Sequence, residues 1–140
     1  MKKIYSNSLL FLCMAVIFMF SACNDKLSIF REYEFTLETM PVPTKIQRDE
    51  TIEIRCRIIR EGVFDQTKFY IRYFQSDGKG CLKLNNQVFS LNDLYPLPSD
   101  NFRLYYTSQC EEQQKIDIYI EDSFGQTVQK SFSFTDHSRE

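Results

Sequence analysis

The sequence lacks several features that would assign it to a particular protein class. It contains no tryptophan, one histidine, and only 4 glycines and 4 prolines in 140 residues. Its 13 phenylalanines and 8 tyrosines, beside so little glycine and proline, exclude an intrinsically disordered chain, because disordered segments are poor in aromatic residues. We therefore expect one packed domain, and the aromatic content favours β-strands.

An excess of positive charge is also lacking. The chain has 17 basic and 19 acidic side chains, a formal net charge of -2, and removal of Lys2 and Lys3 with the N-terminal segment would make it more acidic. Neutralisation of phosphates by Lys and Arg supplies most of the non-specific affinity for nucleic acid. We therefore predict no direct nucleic-acid binding.

No combination of residues indicates catalysis. The only histidine, His137, lies in a polar C-terminal tail, which is a poor place to hold a base within hydrogen-bond reach. Gly78 and Gly80 belong to a predicted hairpin, so the chain has no phosphate-binding glycine loop. Three acidic pairs sit beside turns and are interpreted as solvated charges: Asp49-Glu50, Glu111-Glu112 and Glu121-Asp122. We therefore expect no enzyme activity, no metal site and no cofactor.

Residues 1–22 have the organisation of an export signal. Lys2 and Lys3 provide a positive start, and Leu9–Phe20 is an apolar run of twelve residues. A helix that spans a bilayer takes about 20 residues, so this run is too short to cross a membrane. The alternative reading, a retained membrane helix, is therefore disfavoured.

The apolar run ends in Phe20-Ser21-Ala22-Cys23, which resembles the lipobox of bacterial lipoproteins. In such signals the cysteine receives diacylglycerol, becomes the first residue after cleavage, and is held firmly because several acyl chains insert together. We predict lipid attachment at Cys23, a tether over residues 23–31, and a place in the cell envelope, with the outer membrane favoured. The alternative is an ordinary signal peptide in which Cys23 is incidental.

From residue 32 onwards, apolar and polar side chains alternate with a period of two, which predicts β-strands. The clearest example is a hairpin over residues 115–134, with one apolar face and a turn at 122–125. An isolated hairpin is marginal in water, so a second layer must cover this face. Seven to eight strands at close to ten-residue spacing predict an all-β, immunoglobulin-like sandwich over residues 32–136. Its predicted core includes Ile54, Ile71, Ile118 and Phe132.

Three local patterns refine this prediction. Pro41 and Pro43 should interrupt the first strand where it changes sheets, because proline cannot donate to a ladder. Residues 68–75 are apolar on both faces apart from Arg72, which predicts a central strand. Asp77-Gly78 predicts a hairpin to the following strand, and residues 92–101 form one long irregular loop.

The sequence has 5 cysteines, which have different predicted roles. Cys13 leaves with the signal and Cys23 carries lipid. Cys56 is in phase with the apolar side of its strand and is predicted to be a small core residue. Cys81 and Cys110 could reach solvent and pair in an oxidising envelope, or stay free. No histidine lies near them, which argues against a metal site.

Tyrosine is abundant for so small a domain. The tyrosines could form a platform for sugars or for a partner protein, and the alternative is cross-strand packing. The residues concerned are Tyr70, Tyr73, Tyr105, Tyr106 and Tyr119.

Seven segments carry a family resemblance: ETMPVP (38–43), ETIEIRC (50–56), IREG (59–62), KFYIRYFQSDGKG (68–80), NDLYPL (92–97), FRLYYTS (102–108) and IDIYIEDSFGQ (116–126). In these segments, their order and their spacing, the chain resembles the TraQ family of Bacteroidetes conjugative-transposon proteins. The resemblance implies an envelope component of the mating apparatus that binds other conjugal-transfer proteins. Cys81 and Cys110 do not belong to the family pattern, so the resemblance does not imply a disulfide.

A surface glycan-binding lipoprotein is the competing hypothesis, because lipidation and many tyrosines would also serve that function. Gene neighbours discriminate between the two. Transfer genes would support the first hypothesis, and outer-membrane sugar-uptake genes the second.

Overall fold

A computed structural model describes Cys13, Met14 and residues 32–136 of the chain. The chain divides into two compact units, residues 1–30 and 31–140. Cys13 and Met14 are helical and exposed, and no helix among the described residues has the length and apolarity needed to span a membrane. The remainder of the predicted signal, the predicted lipid attachment site Cys23 and the predicted tether lie outside the described residues, as does His137.

Residues 32–136 form ten strands in two five-stranded sheets. Sheet I has the order β1-β3-β8-β5-β6, and sheet II has the order β2-β10-β9-β4-β7. The strands are β1 (Phe35–Thr39), β2 (Lys45–Ile46), β3 (Thr51–Arg60), β4 (Phe69–Asp77), β5 (Gly80–Leu84), β6 (Gln87–Val88), β7 (Tyr95–Pro96), β8 (Asn101–Ser108), β9 (Gln114–Asp122) and β10 (Thr127–Asp136).

The strand order is that of an immunoglobulin-like sandwich. Strands β2, β6 and β7 have two residues each, and the other seven described strands have five or more. Counted along the chain, those seven are arranged one-two-five-four in sheet I and three-six-seven in sheet II, the constant-type immunoglobulin arrangement. The prediction of an all-β, immunoglobulin-like sandwich is confirmed.

The core lies between the two sheets and follows the alternation in the sequence. Ile54, Ile71 and Ile118 are completely buried and Phe132 is 7% exposed, so the predicted core residues are confirmed. Tyr106 of sheet I stacks on Phe134 of sheet II, with ring centroids 5.4 Å apart. Burial of this apolar face is what holds the sheets together.

The chain changes sheets at the proline-rich segment, as predicted. β1 pairs with β3 in sheet I, whereas β2 pairs in parallel with the end of β10 in sheet II. Thr135 N–H donates to Thr44 O at 2.8 Å across this parallel junction. Pro41 and Pro43 lie between the two pairings, where their missing N–H groups cost no ladder hydrogen bond.

The predicted hairpin at Asp77-Gly78 is wrong. β4 belongs to sheet II, where Asp77 is paired with Lys115, and β5 belongs to sheet I, where Gly80 is paired with Ser108. The turn therefore carries the chain from one sheet to the other. Gly78 has φ +70°, which favours glycine, so the local turn signal was sound although the strands it joins do not pair.

The predicted central position of the strand over residues 68–75, which is β4, is confirmed, but only one of its faces is buried. β4 lies between β9 and the two-residue β7, and Phe74 on its outer face is 39% exposed. The predicted loop 92–101 contains β7 and runs along β4. Asn92 N–H donates to Tyr73 O, and Leu97 N–H donates to Phe69 O, each at 2.9 Å. The loop therefore covers an edge of sheet II.

The turn between β9 and β10 corrects the interpretation of Asp122 as a solvated charge. Asp122 is 5% exposed, and its carboxylate accepts hydrogen bonds from Phe124 N–H at 3.0 Å and from Gln126 N–H at 2.8 Å. The Gln126 side chain donates to the same carboxylate and to Tyr33 O. Asp122 therefore closes the turn and helps to join it to the segment before β1.

Candidate interaction surface

The described residues contain no group of three or more His, Cys, Asp or Glu side chains that could hold a metal ion. Cys56 is 5% exposed, and burial raises the pKa of its thiol to about 12. A protonated, buried thiol is a poor nucleophile, because the thiolate is the reactive form. The prediction that Cys56 is a core residue is confirmed.

Cys81 and Cys110 are both free in the structure. Cys81 is paired in register with Thr107, whereas Cys110 lies three residues further along the chain and its Sγ accepts a hydrogen bond from Lys79 N–H at 3.2 Å. The disulfide stays a prediction.

A buried polar network lies at the end of the core beside Cys110. Tyr106 Oη donates to Gln114 Oε1 at 2.7 Å, and Gln114 Nε2 donates to Ser108 Oγ at 2.8 Å. All three side chains are inaccessible to solvent, and burial raises the pKa of Tyr106 to about 12. Sequence alternation does not reveal this network, because Ser108 and Gln114 lie at the two ends of a polar stretch between predicted strands. Satisfied hydrogen bonds make it a structural element of the core.

The five tyrosines do not form one platform. Tyr73 and Tyr106 are buried in the core, Tyr105 is on the outer face of sheet I, and Tyr70 and Tyr119 are on the outer face of sheet II. Two of the tyrosines therefore pack between the sheets, as the packing alternative requires. The other three are partly exposed to partners but are divided between the two outer faces.

The outer face of sheet II carries an aromatic strip, defined here as Tyr70, Phe74 and Tyr119. Phe74 and Tyr119 meet edge to face, with ring centroids 5.9 Å apart. Arg72 lies within the strip and pairs with Glu121 at 3.3 Å. Aromatic rings on a solvent-facing sheet offer contact area to a partner at low cost in side-chain entropy.

The outer face of sheet I carries an arginine groove of about 560 Å³. Arg55 and Arg103 lie directly opposite each other on β3 and β8, and Arg57 is two residues further along β3 on the same face. Glu53 bridges the first two, with its Oε1 2.5 Å from Arg55 Nε and 3.9 Å from Arg103 Nε. The hydrogen bond from Arg55 lowers the pKa of Glu53, which keeps this carboxylate charged between the two arginines.

Sheet II has one covered edge and one open edge. Residues 92–97 cover the edge formed by β4. At the other edge, β2 pairs with Thr135 and Asp136 alone, so within residues 32–136 the part of β10 from 127 to 133 has no hydrogen-bonded strand on that side, although β1 of sheet I approaches β10. This segment is called the β10 edge below. An open edge is a template for addition of a strand.

The protein is thus a small immunoglobulin-like sandwich. It has an arginine groove on the outer face of sheet I, an aromatic strip on the outer face of sheet II, and one open sheet edge. A family model described as TraQ conjugal transfer protein matches residues 7–137. The chain therefore belongs to the TraQ conjugal transfer protein family, which gives it a role in conjugal transfer and confirms the resemblance in its sequence. No curated protein matches it.

The solved structures similar to this chain include three from Bacteroides species. A conjugative transposon lipoprotein from Bacteroides eggerthii DSM 20697 is 42% identical, with a TM-score of 0.70 over 75% of this chain and 100% of that one. A lipoprotein from Bacteroides thetaiotaomicron is 53% identical, with a TM-score of 0.69 over 82% and 89%. A conjugate transposon protein from Bacteroides vulgatus is 45% identical, with a TM-score of 0.67 over 83% and 95%.

Proposed function

We propose that the protein is a membrane-anchored, non-catalytic module of a conjugative DNA-transfer apparatus, which acts by binding other envelope proteins of that apparatus. The observation that carries the proposal is membership of the TraQ conjugal transfer family over nearly the whole chain. An immunoglobulin-like sandwich with exposed faces suits protein binding, although the fold alone does not define a function.

The anchor is the lipid on Cys23, in the cell envelope and by preference at the outer membrane. Two supports agree. The Phe20-Ser21-Ala22-Cys23 sequence resembles a lipobox, and two similar proteins are described as lipoproteins. Residues 23–31 then serve as the tether between the lipid and the sandwich.

Binding surfaces are available, whereas a catalytic centre is not evident in the part of the chain that the structure describes. Metal-binding clusters are absent there, and the one histidine, His137, follows the last strand. The acidic net charge argues against holding the transferred DNA, since phosphate neutralisation requires excess Lys and Arg. The partners are therefore proteins, and the sheet edges and outer faces are the surfaces that can meet them.

Deletion of the gene in a donor cell tests this proposal. Transfer frequency should fall, a wild-type copy should restore it, and a Cys23→Ala copy should restore little, because an unanchored module is lost from its site of action. A Cys13→Ala copy is the matched control and should restore transfer fully. Normal transfer by the deleted donor would contradict the proposal.

Glycan binding is the second candidate function, and the aromatic strip favours it. Tyr70, Phe74 and Tyr119 lie beside the hydroxyl-rich outer face of β10, a combination that can hold sugar rings. A Tyr119→Ala variant that lost binding to a polysaccharide, in a strain whose transfer frequency did not depend on the gene, would establish this alternative.

A further inference from the structure

The β10 edge, residues 127–133, is the longest stretch of unpaired strand edge in sheet II. β10 has ten residues, and β2 pairs with the last two alone. Natural sheets usually protect such an edge with proline, with a bulge, with a very short edge strand or with an inward-pointing charge. The sequence of β10, TVQKSFSFTD, contains no proline, and its pairing with β9 has continuous register. Its one inward-pointing charge is Lys130, so the edge should reject an added strand that does not supply an opposite charge.

Main-chain hydrogen bonds identify the residues that face this edge. Asp122 N–H donates to Gln126 O at 3.0 Å, within the hairpin, whereas Thr135 N–H donates to Thr44 O on the opposite side. These directions alternate along an antiparallel strand. The main-chain N–H and C=O groups that point away from β9 are therefore those of Thr127, Gln129, Ser131 and Ser133.

Along residues 127–133, the side chains on the outer face of β10 differ from those on the inner face in exposure and charge. Those of the four edge-facing residues are exposed and uncharged. On the inner face, Val128, Lys130 and Phe132 follow one another, and Lys130 is half-buried between two apolar neighbours. The described residues provide no ion pair for its ammonium group. A strand added here would meet a positive charge flanked by apolar side chains.

This charge argues against a second copy of the chain as the occupant. Antiparallel self-pairing along the whole of residues 127–133 would place Lys130 opposite Lys130 of the other copy. Like charges directly opposite each other destabilise a strand pair, and the penalty grows where water is partly excluded. An acidic side chain in the same position would instead pair with Lys130.

We propose that the β10 edge binds an extended segment of a partner protein by strand addition. The segment has an acidic residue opposite Lys130 and apolar residues opposite Val128 and Phe132. Main-chain hydrogen bonds to the four edge-facing residues supply affinity, and the inner face supplies specificity. The inference rests on the proposed function, that the protein acts by binding, and gives that function a site.

Peptide binding to the full-length chain in detergent micelles tests the edge directly. The probe is a nine-residue peptide of alternating threonine and valine with a central glutamate, and its control carries a central lysine. NMR should show shifted amides across residues 127–133, with slowed hydrogen exchange at the edge-facing Thr127, Gln129, Ser131 and Ser133. The glutamate peptide should bind about tenfold more tightly, and Lys130→Glu should reverse that order. Equal binding of the two peptides, or shifts confined to the arginine groove, would overturn the proposal.

Two other occupants give different results in the same samples. Amides of Thr127, Gln129, Ser131 and Ser133 that are protected before any peptide is added would show that the chain's own tether covers the edge. A concentration-dependent dimer that is lost in Gln129→Pro would show that a second copy does. Either result would overturn the proposal.

Transfer frequency of donor cells tests whether the β10 edge is used in conjugation. Gln129→Pro removes one edge-facing N–H, and proline is tolerated at a free edge, whereas Gln129→Ala keeps the N–H. Gln129→Pro should lower transfer about tenfold at unchanged abundance, and Gln129→Ala should not. If Gln129→Pro does not accumulate, Lys130→Glu should lower transfer and Lys130→Arg should not. Suppose that gene deletion abolishes transfer but folded Gln129→Pro or Lys130→Glu supports wild-type transfer. This result would contradict binding at the β10 edge and would leave the proposed function standing.

Discussion

Single residues in the centre of the sandwich carry much of its stability. Ile118 of β9 is completely buried, whereas Glu53 of β3 lies on an outer face with its neighbouring arginines. Removal of buried methyl groups loses their transfer free energy and leaves a cavity. The two positions therefore differ in consequence although both lie in the middle of long strands.

Ile118→Ala should lower the free energy of unfolding by about 2 to 5 kcal/mol, a large part of the roughly 5 to 15 kcal/mol typical of a domain. Glu53→Ala is the control and should change stability little, because its side chain faces solvent. Urea denaturation followed by tyrosine fluorescence measures both. Equal losses would show that the inward and outward phases of these strands are assigned wrongly.

Asp117 makes a second contribution at the residue scale, and it depends on pH. Its carboxylate accepts a hydrogen bond from Ser131 Oγ at 2.5 Å, which lowers the pKa of Asp117 although burial opposes the shift. A carboxyl group with a lowered pKa in the folded state stabilises the protein above its unfolded pKa of about 3.9. That contribution is lost as the pH falls through the folded value.

The unfolding free energy of the wild type should therefore fall more steeply below about pH 4 than that of Ser131→Ala, which lacks the donor. Thermal unfolding measured between about pH 2 and pH 6, the interval in which carboxyl groups titrate, compares the stability of the two proteins. NMR titration of Asp117 should give a higher pKa in the variant. Parallel stability profiles would contradict this role of Ser131.

At the scale of elements, the hairpin of β9 and β10 joins the core to the open edge. Ile116, Ile118 and Ile120 are buried on one side of β9, and Asp122 closes the turn. The hairpin also contacts the segment before β1 through Gln126. The turn therefore sets the register of β10, and with it the positions of the edge-facing groups.

Asp122→Ala should destabilise the domain by about 1 to 3 kcal/mol, because the N–H groups of Phe124 and Gln126 lose their acceptor in a partly buried turn. Ser123→Ala is the matched control at the adjacent position and loses one exposed hydrogen bond, from Lys68 N–H. Hydrogen exchange of the turn amides measures the local effect. Unchanged protection in Asp122→Ala would contradict the assigned role.

At the scale of the whole molecule, the proposed function requires that lipid on Cys23 holds the sandwich at a membrane. A single acyl chain binds a membrane only marginally, whereas several on one residue hold firmly. If residues 23–31 form the predicted tether, its shortness would keep the β10 edge and both outer faces close to neighbouring envelope proteins.

Mass spectrometry of the native protein should find Cys23 acylated at the new N-terminus. Cys23→Ala should move from the membrane fraction to the soluble fraction, and Cys13→Ala should stay with the membrane, because the predicted signal is removed with Cys13 in it. An unmodified Cys23 in a wild-type protein that fractionates as soluble would end the anchor hypothesis.

The sequence by itself determined where most strands lie and which side of each is buried. Alternation with a period of two is a local property, so Ile54, Ile71, Ile118 and Phe132 could be assigned to the core before any pairing was known. Segment order and spacing likewise identified the family. These predictions need only neighbouring residues along the chain.

Only the tertiary structure decided which strands pair and what their ends meet. Asp77-Gly78 reads as a hairpin turn but joins two sheets, and Asp122 reads as a solvated charge but is buried by Gln126 and its turn. The free edge at Gln129 also follows from the shortness of β2. Pairing depends on contacts between residues far apart in the chain, and local alternation carries no information about them.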